Sequence, residues 1–176
     1  FREQGLERPD VDKKTPQISF QARLLRDKVS IYLDFSGRGL FQRGYREHTG
    51  AAPLKENLAA ALIMRSGWLA DTSKPLVDPM CGSGTFAIEA AMMALNIPPR
   101  ASRREYAFMK WLNYDSYLWD NVKIVAENNI KQSNILRIYA SDKFSENIDM
   151  CKYSAIRAGV DKHIKFSVCN IKFFRP

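Results

Sequence analysis

The sequence is poor in the residues that build metal centres and disulfide frameworks, with two histidines and three cysteines among 176 residues. Cys81, Cys151 and Cys169 are scattered and odd in number, and His48 and His163 stand alone. No spacing among them suits a metal or a paired bridge, so no metal is expected and a reducing, cytoplasmic compartment is the simplest setting. Long apolar runs are missing too. No window could span a bilayer, and Phe1 opens a polar stretch without a signal-peptide pattern, so no membrane partner is expected. Internal repeats and low-complexity tracts are absent. What remains is ordinary for a globular protein, at 45% hydrophobic and 26% charged, in a length that fits one domain with at most a small appendage.

Acidic residues are the other shortage. The net charge is +8, and the excess lies in the flanks: residues 1–50 carry ten Lys/Arg against seven Asp/Glu, and residues 101–176 carry thirteen against eight. Residues 51–100 balance at four and four. A polyanionic partner such as RNA or DNA fits this distribution, because Lys/Arg neutralisation of phosphates supplies much of nucleic-acid affinity. A basic surface with no partner fits it equally.

After a polar lead-in through Pro16, the runs Ile18–Leu24 and Val29–Phe35 alternate apolar and polar residues around Arg26-Asp27. That pattern predicts a β-hairpin with one buried face, closed by Ser36-Gly37-Arg38-Gly39. Pro53 can open a helix whose apolar positions Leu54, Leu58, Ala61 and Leu62 precede a stop at Gly67. Pro75–Asp78 is strand-like, and Thr85–Leu95 is apolar around most of its circumference, as a buried helix is. A helix over Asp115–Gln132, a strand from Arg137 to Asp142, a helix over Ser145–Ala158 stopped by Gly159, and a strand over Ile164–Cys169 follow. From residue 75 onward this is α/β alternation around a parallel sheet.

The chemistry concentrates where the strand ending at Asp78 meets Gly82-Ser83-Gly84 and a helix. Glycines let backbone approach a ligand closely, and the helix start presents free N–H groups. With Ala87 the pattern matches the dinucleotide-binding turn. Two features favour S-adenosylmethionine (SAM) instead. Asp78 lies four residues before Gly82, where a carboxylate can accept loop amides or meet a cationic ligand but sits badly beside pyrophosphate. The next strand-end acid, Asp142, lies 58 positions past Gly84 rather than the twenty or so of a nicotinamide unit. A tight turn without a ligand, and a helix cap at Asp142, are the plainer alternatives. Cys81 has no flanking base and reads as a small residue packed beside the cofactor.

The octet Asp78-Pro79-Met80-Cys81-Gly82-Ser83-Gly84-Thr85, with Glu89-Ala90-Ala91, resembles the SAM motif of the THUMP-associated RNA guanine-N2 methyltransferases. Arg43-Gly44-Tyr45-Arg46, His48-Thr49-Gly50 and Ala52–Ala60 are similar to the segment preceding it in that family, and Met64-Arg65-Ser66-Gly67-Trp68 narrows the likeness to the bacterial large-subunit (23S) ribosomal RNA members. The resemblance covers about residues 18–170. It implies a Rossmann-like class I SAM-dependent fold, of which this chain holds the N-terminal half of the sheet, and methyl transfer from SAM to an exocyclic guanine amine. The expected division is a β-hairpin linker from an upstream RNA-binding region over 1–45 and an incomplete SAM-binding part over 46–176.

By the same resemblance, Asp78 through Thr85 hold the methionyl end of SAM and Asp142 its ribose. Asn170 stands where the family has an acid against the adenine amino group; an amide can still accept one hydrogen bond there. The family's Asn-Pro-Pro-Tyr signature, which holds the target amine, does not occur in this sequence, so no catalytic residue is assigned. Arg43, Tyr45, Arg46, Arg103, Arg104 and Lys110 are candidate RNA contacts, against the plainer reading of a solvated basic face. The family further implies an upstream THUMP module and, often, a fused second methyltransferase. A DNA adenine-N6 methyltransferase shares the cofactor half, and a non-catalytic RNA-binding or ribosome-assembly module with a SAM-like fold is the rival of another class.

Overall fold

The computed structural model describes residues 5, 11, 12, 14, 16, 18–47, 53–99, 105–132 and 136–175. They form two compact units, one from Phe1–Arg38 with Arg104–Ser116 and one from Gly39–Arg103 with Tyr117–Pro176. The hairpin's unit thus takes in a second stretch of chain, and Gly39 opens the larger unit. Arg43 and Tyr45 bond to Glu89 within the larger unit.

In the smaller unit, β1 (Phe20–Leu25) and β2 (Lys28–Leu33) form the expected antiparallel hairpin. Arg26 and Asp27 both adopt positive φ, +46° and +60°, the backbone a two-residue hairpin turn requires. Its apolar face is not buried, contrary to the alternation. Phe20, Leu24, Val29 and Ile31 stay exposed, because no described residue covers them. Phe35 packs on Trp111 at 4.3 Å between ring centroids, and its carbonyl accepts the Phe108 amide.

The larger unit is built on three parallel strands in the order β3 (Leu76–Asp78), β4 (Ile138–Asp142), β5 (Ile164–Val168). Helices α1 (Glu56–Ser66), α2 (Thr85–Ala94) and α4 (Ser145–Ala158) pack in succession, α1 on α2 and α2 on α4, with α2 and α4 lying against the sheet. Helix α3 (Ser116–Asn128) has no buried residue. Left-handed glycines at 67 and 159 stop α1 and α4 where expected. Helix α1 starts at Glu56, three residues after Pro53, because the Leu54 carbonyl accepts from Arg46 outside the helix. Helix α3 ends at Asn128 rather than Gln132, because Asn129 and Lys131 bond to Asn96 and Leu95 just past α2. No helix among the described residues is long and apolar enough to cross a membrane.

Helix α2 is the centre of this unit. Ala87, Ile88, Ala90 and Ala91 are wholly buried, and its alanines let α1, α4 and the strands approach closely. At its start Gly84 has φ +82°, and a Cβ there would collide with Cys151 Sγ of α4 and lie 3.2 Å from its Cβ. Gly84→Ala is therefore expected to cost about 2–4 kcal/mol, from left-handed strain plus overpacking. Unfolding of the full-length protein should show the loss as an earlier transition, and Cys151→Ala in the same background should restore part of it.

Candidate functional site

Parallel pairing sets Asp78 opposite Ala140, so β4 runs two residues farther and ends at Asp142 beside the glycine loop. The loop is tied down at both ends: the Cys81 amide donates to the Ser141 carbonyl (2.9 Å), and the Gly84 amide to the Cys81 carbonyl (2.8 Å). Gly82 and Gly84 both have positive φ, +51° and +82°. The structure thus brings Asp78, Pro79, Met80, Cys81, Gly82, Ser83, Gly84, Thr85 and Asp142 to one end of the sheet.

The two carboxylates are held in opposite ways. Asp142 Oδ2 accepts the Gly82 amide (3.1 Å) and Oδ1 the Phe144 amide (3.0 Å). Burial works against the charge of Asp142, but the Phe144 amide, the Asn147 side chain, the Gly82 amide and Lys143 together hold its carboxyl below the ordinary value. The loop amide thus goes to the β4 acid, whereas the acid nearest in sequence, Asp78, takes the Met80 amide. Burial pushes the Asp78 carboxyl up; the Met80 amide opposes this, and the like charge of Asp142 adds to it. Asp142 is not a helix cap either, since the residue capping α4 is Phe144.

Cys81 is buried, and its thiol is pushed up by a hydrogen bond with Cys151 and then by burial, which suits a packed residue rather than a nucleophile. Asn170 follows β5 on the surface, its side-chain oxygen accepting the Lys172 amide at 3.0 Å. Arg103 and Arg104 lie outside the described residues.

Arg43, Tyr45 and Arg46, the candidate RNA contacts of the sequence, pack against helices α1 and α2 of the larger unit. Tyr45 is 4% exposed and donates to Glu89 Oε1 at 3.0 Å; Arg43 reaches the same carboxylate at 3.5 Å. Arg46, with 6% of its side chain exposed, donates to the Leu54 carbonyl (3.0 Å) and to Thr85 Oγ1 (2.5 Å), with Nε 3.8 Å from Glu56. Beyond them Glu47 pairs with Arg157 of α4 at 2.6 Å and accepts from Tyr153 at 2.8 Å. Residues 43–47 are thus a strap bonded to α1, α2 and α4. Arg43 and Tyr45 bond to the buried Glu89 carboxylate, and Arg46 bonds to the Leu54 carbonyl and the Thr85 hydroxyl with its Nε facing Glu56. The structural part of Glu56 and Glu89 escaped the sequence reading, although each is the sole acid of its helix, and a buried acid requires a partner. Burial raises the Glu89 carboxyl, against Arg43 and Tyr45.

A family model described as RMKL-like, methyltransferase domain, matches residues 43–175. The chain belongs to that family. The RMKL-like domain is 56% identical to the Ribosomal RNA large subunit methyltransferase K/L of Colwellia psychrerythraea over 97% of this chain and 24% of that protein. Among solved structures, SMU.472, complexed with SAH, superposes with a TM-score of 0.81 at 36% identity, over 90% of this chain and 41% of that one. A Listeria monocytogenes chain described as a predicted N6-adenine-specific DNA methylase gives 0.83 at 34%, with the same shares. The chain spans about a quarter of the length of the curated relatives it matches. The RMKL-like domain accordingly has the α/β, Rossmann-like methyltransferase fold expected from its alternating elements.

Since the fold raises the Asp78 carboxyl above its unfolded value, this side chain favours folding most when protonated, and that contribution is lost as pH rises through its folded range. Asp78→Asn, which keeps an acceptor for the Met80 amide, should be more stable than the unaltered protein near neutral pH. The gain should fade as pH falls below the ordinary carboxylate range. Unfolding midpoints of full-length proteins across pH would show it; a destabilised variant at neutral pH would contradict the assignment.

Proposed function

We propose that this domain binds SAM and is the cofactor-holding part of an enzyme that methylates the exocyclic N2 amine of a guanine in 23S ribosomal RNA. The observation that carries the reading is the pair of unlike carboxylates flanking the glycine loop. Asp142 uses three protein donors against roughly four acceptor positions, which leaves room for a ligand hydroxyl. Asp78 is desolvated and under-bonded, which suits a cationic amine. Gly82, Ser83, Gly84 and Thr85 bring backbone close to the ligand, while Pro79, Met80 and Cys81 form the wall between the carboxylates and Asn170 offers an amide at the neighbouring strand end. These groups fit the ribose, the ammonium and the adenine of SAM respectively.

SAM supplies a methyl group on a sulfonium that is its own leaving group, so the protein's share is alignment and exclusion of water. Asp142 orients through hydroxyls, Asp78 through charge, and the loop through close approach. The residues that hold the target amine are not assigned. Support for the RNA substrate comes from the name of the curated relatives, and support for SAM from the SAH in the SMU.472 structure. The relatives' length and compound K/L designation accord with further modules, which we place as an upstream THUMP module and a second methyltransferase in a cytoplasmic protein. Lys110, exposed on the smaller unit, and Arg103 and Arg104 would contact the RNA. The Listeria neighbour's description favours DNA adenine as the second reading.

Full-length protein incubated with SAM and unmodified ribosomal RNA should yield N2-methylguanosine by nucleoside mass spectrometry. Asp78→Ala should weaken SAM binding at least about tenfold, the scale of one lost charge-assisted hydrogen bond. N6-methyladenine in DNA, with unmethylated RNA, would transfer the domain to the second reading; SAM binding without methylation of either would favour the non-catalytic module.

A further inference from the structure

The strap offers more than a brace, because one of its side chains reaches the loop itself. Thr85 is the first residue of α2 and the last of the motif, and its side chain is buried. Arg46 donates to Thr85 Oγ1, and a guanidinium cannot accept a hydrogen bond in return. The Thr85 hydroxyl must therefore direct its own proton away from Arg46, and no acceptor for it occurs among the described residues. The same guanidinium spans the Leu54 carbonyl just before α1 and approaches Glu56 in its first turn. One nitrogen, Nη2, thus connects the start of α1 to the start of α2 in a setting closed to solvent, where a rotation of the hydroxyl would leave a donor unmatched.

We infer that Arg46 is a positioning residue for the cofactor site: by occupying the acceptor lone pair of Thr85 and fixing its rotamer, it commits that hydroxyl as a donor to an anionic group of the ligand at the α2 N-terminus. The inference rests on the SAM reading, in which the anionic group is the methionyl carboxylate. It assigns Arg46 to cofactor affinity rather than to RNA. A helix start alone would draw any anion; the Arg46-polarised hydroxyl adds a directed donor that must be matched when the site is dry.

The test uses full-length protein and isothermal titration with SAM, alongside separate KM values for SAM and RNA. Thr85→Val removes the hydroxyl at constant shape and leaves Arg46 bonded to Leu54, so the fold should survive. Arg46→Lys keeps the charge but loses the planar guanidinium that holds Nη2 between Leu54 and Thr85 while Nε faces Glu56. Each variant is expected to raise the SAM Kd about tenfold with RNA KM unchanged, and the double variant to be little worse than either single one. Thr85→Ser should bind SAM as the unaltered protein does. Arg46→Lys raising RNA KM with SAM Kd unchanged would overturn the inference in favour of an RNA contact. A lowered unfolding midpoint with unchanged SAM Kd in both single variants would reduce the strap to a brace. Absence of SAM binding by the unaltered protein would overturn the cofactor reading itself, an outcome seen without any variant.

Discussion

The arrangement depends on a charge placed where there is no water. Helix α2 is enclosed by two helices and the strands, yet it carries Glu89 in its middle, and α1 carries Glu56 under the same cover. An unpaired buried carboxylate costs several kcal/mol, so the chain must bring cations to both. Arg43 and Tyr45 answer Glu89, Arg46 answers Glu56, and Glu47 reverses the sign to meet Arg157. Hydrophobic contact could hold three helices together in several registers. A polar strap of five residues, each bond directional, selects one. The pairs therefore act more on which packing is adopted than on how stable it is.

That selection matters because the loop borrows its geometry from the helices. Gly84 lies so close to Cys151 that α4 could not approach the loop if a side chain stood there, and Cys81 meets the same thiol from the loop's other end. The loop's amides are fastened to β4 through Ser141 and Asp142, and β4 is fastened to β5 where the Cys169 amide meets the Asp142 carbonyl. Shape is thus passed from strap to helices to loop through contacts that admit little slack.

The parts legible in the sequence were those written locally. Glycines at 67 and 159 punctuate helices, the alternation around Arg26-Asp27 marks a hairpin, and an acid, two glycines and an apolar helix in succession mark the loop. The parts that were not legible depend on distant partners. Arg43-Gly44-Tyr45-Arg46 has the composition of an RNA-contacting stretch, and its burial depends on Glu89, 46 positions beyond Arg43, together with Glu56 and Thr85. Basic residues read singly cannot reveal this; lone acids within apolar helices could have. The hairpin misled in the opposite sense, since its alternation specifies an apolar face without specifying that the described residues cover it.

The unlike treatment of Asp78 and Asp142 bears on which ligand the loop accepts. Both acids stand at adjacent strand ends, so an anionic pyrophosphate would meet two negative charges that the protein has only partly satisfied. Asp142 is stabilised as an anion by donors, whereas Asp78 is destabilised by burial and by its neighbour. A ligand carrying a cation relieves Asp78, and one carrying hydroxyls adds to Asp142 without competing with its amides. A molecule with an ammonium at one end and a ribose at the other satisfies both requirements. On the proposed reading, the energy that folding loses at Asp78 would be recovered on binding, making the carboxylate a source of affinity as well as a local instability.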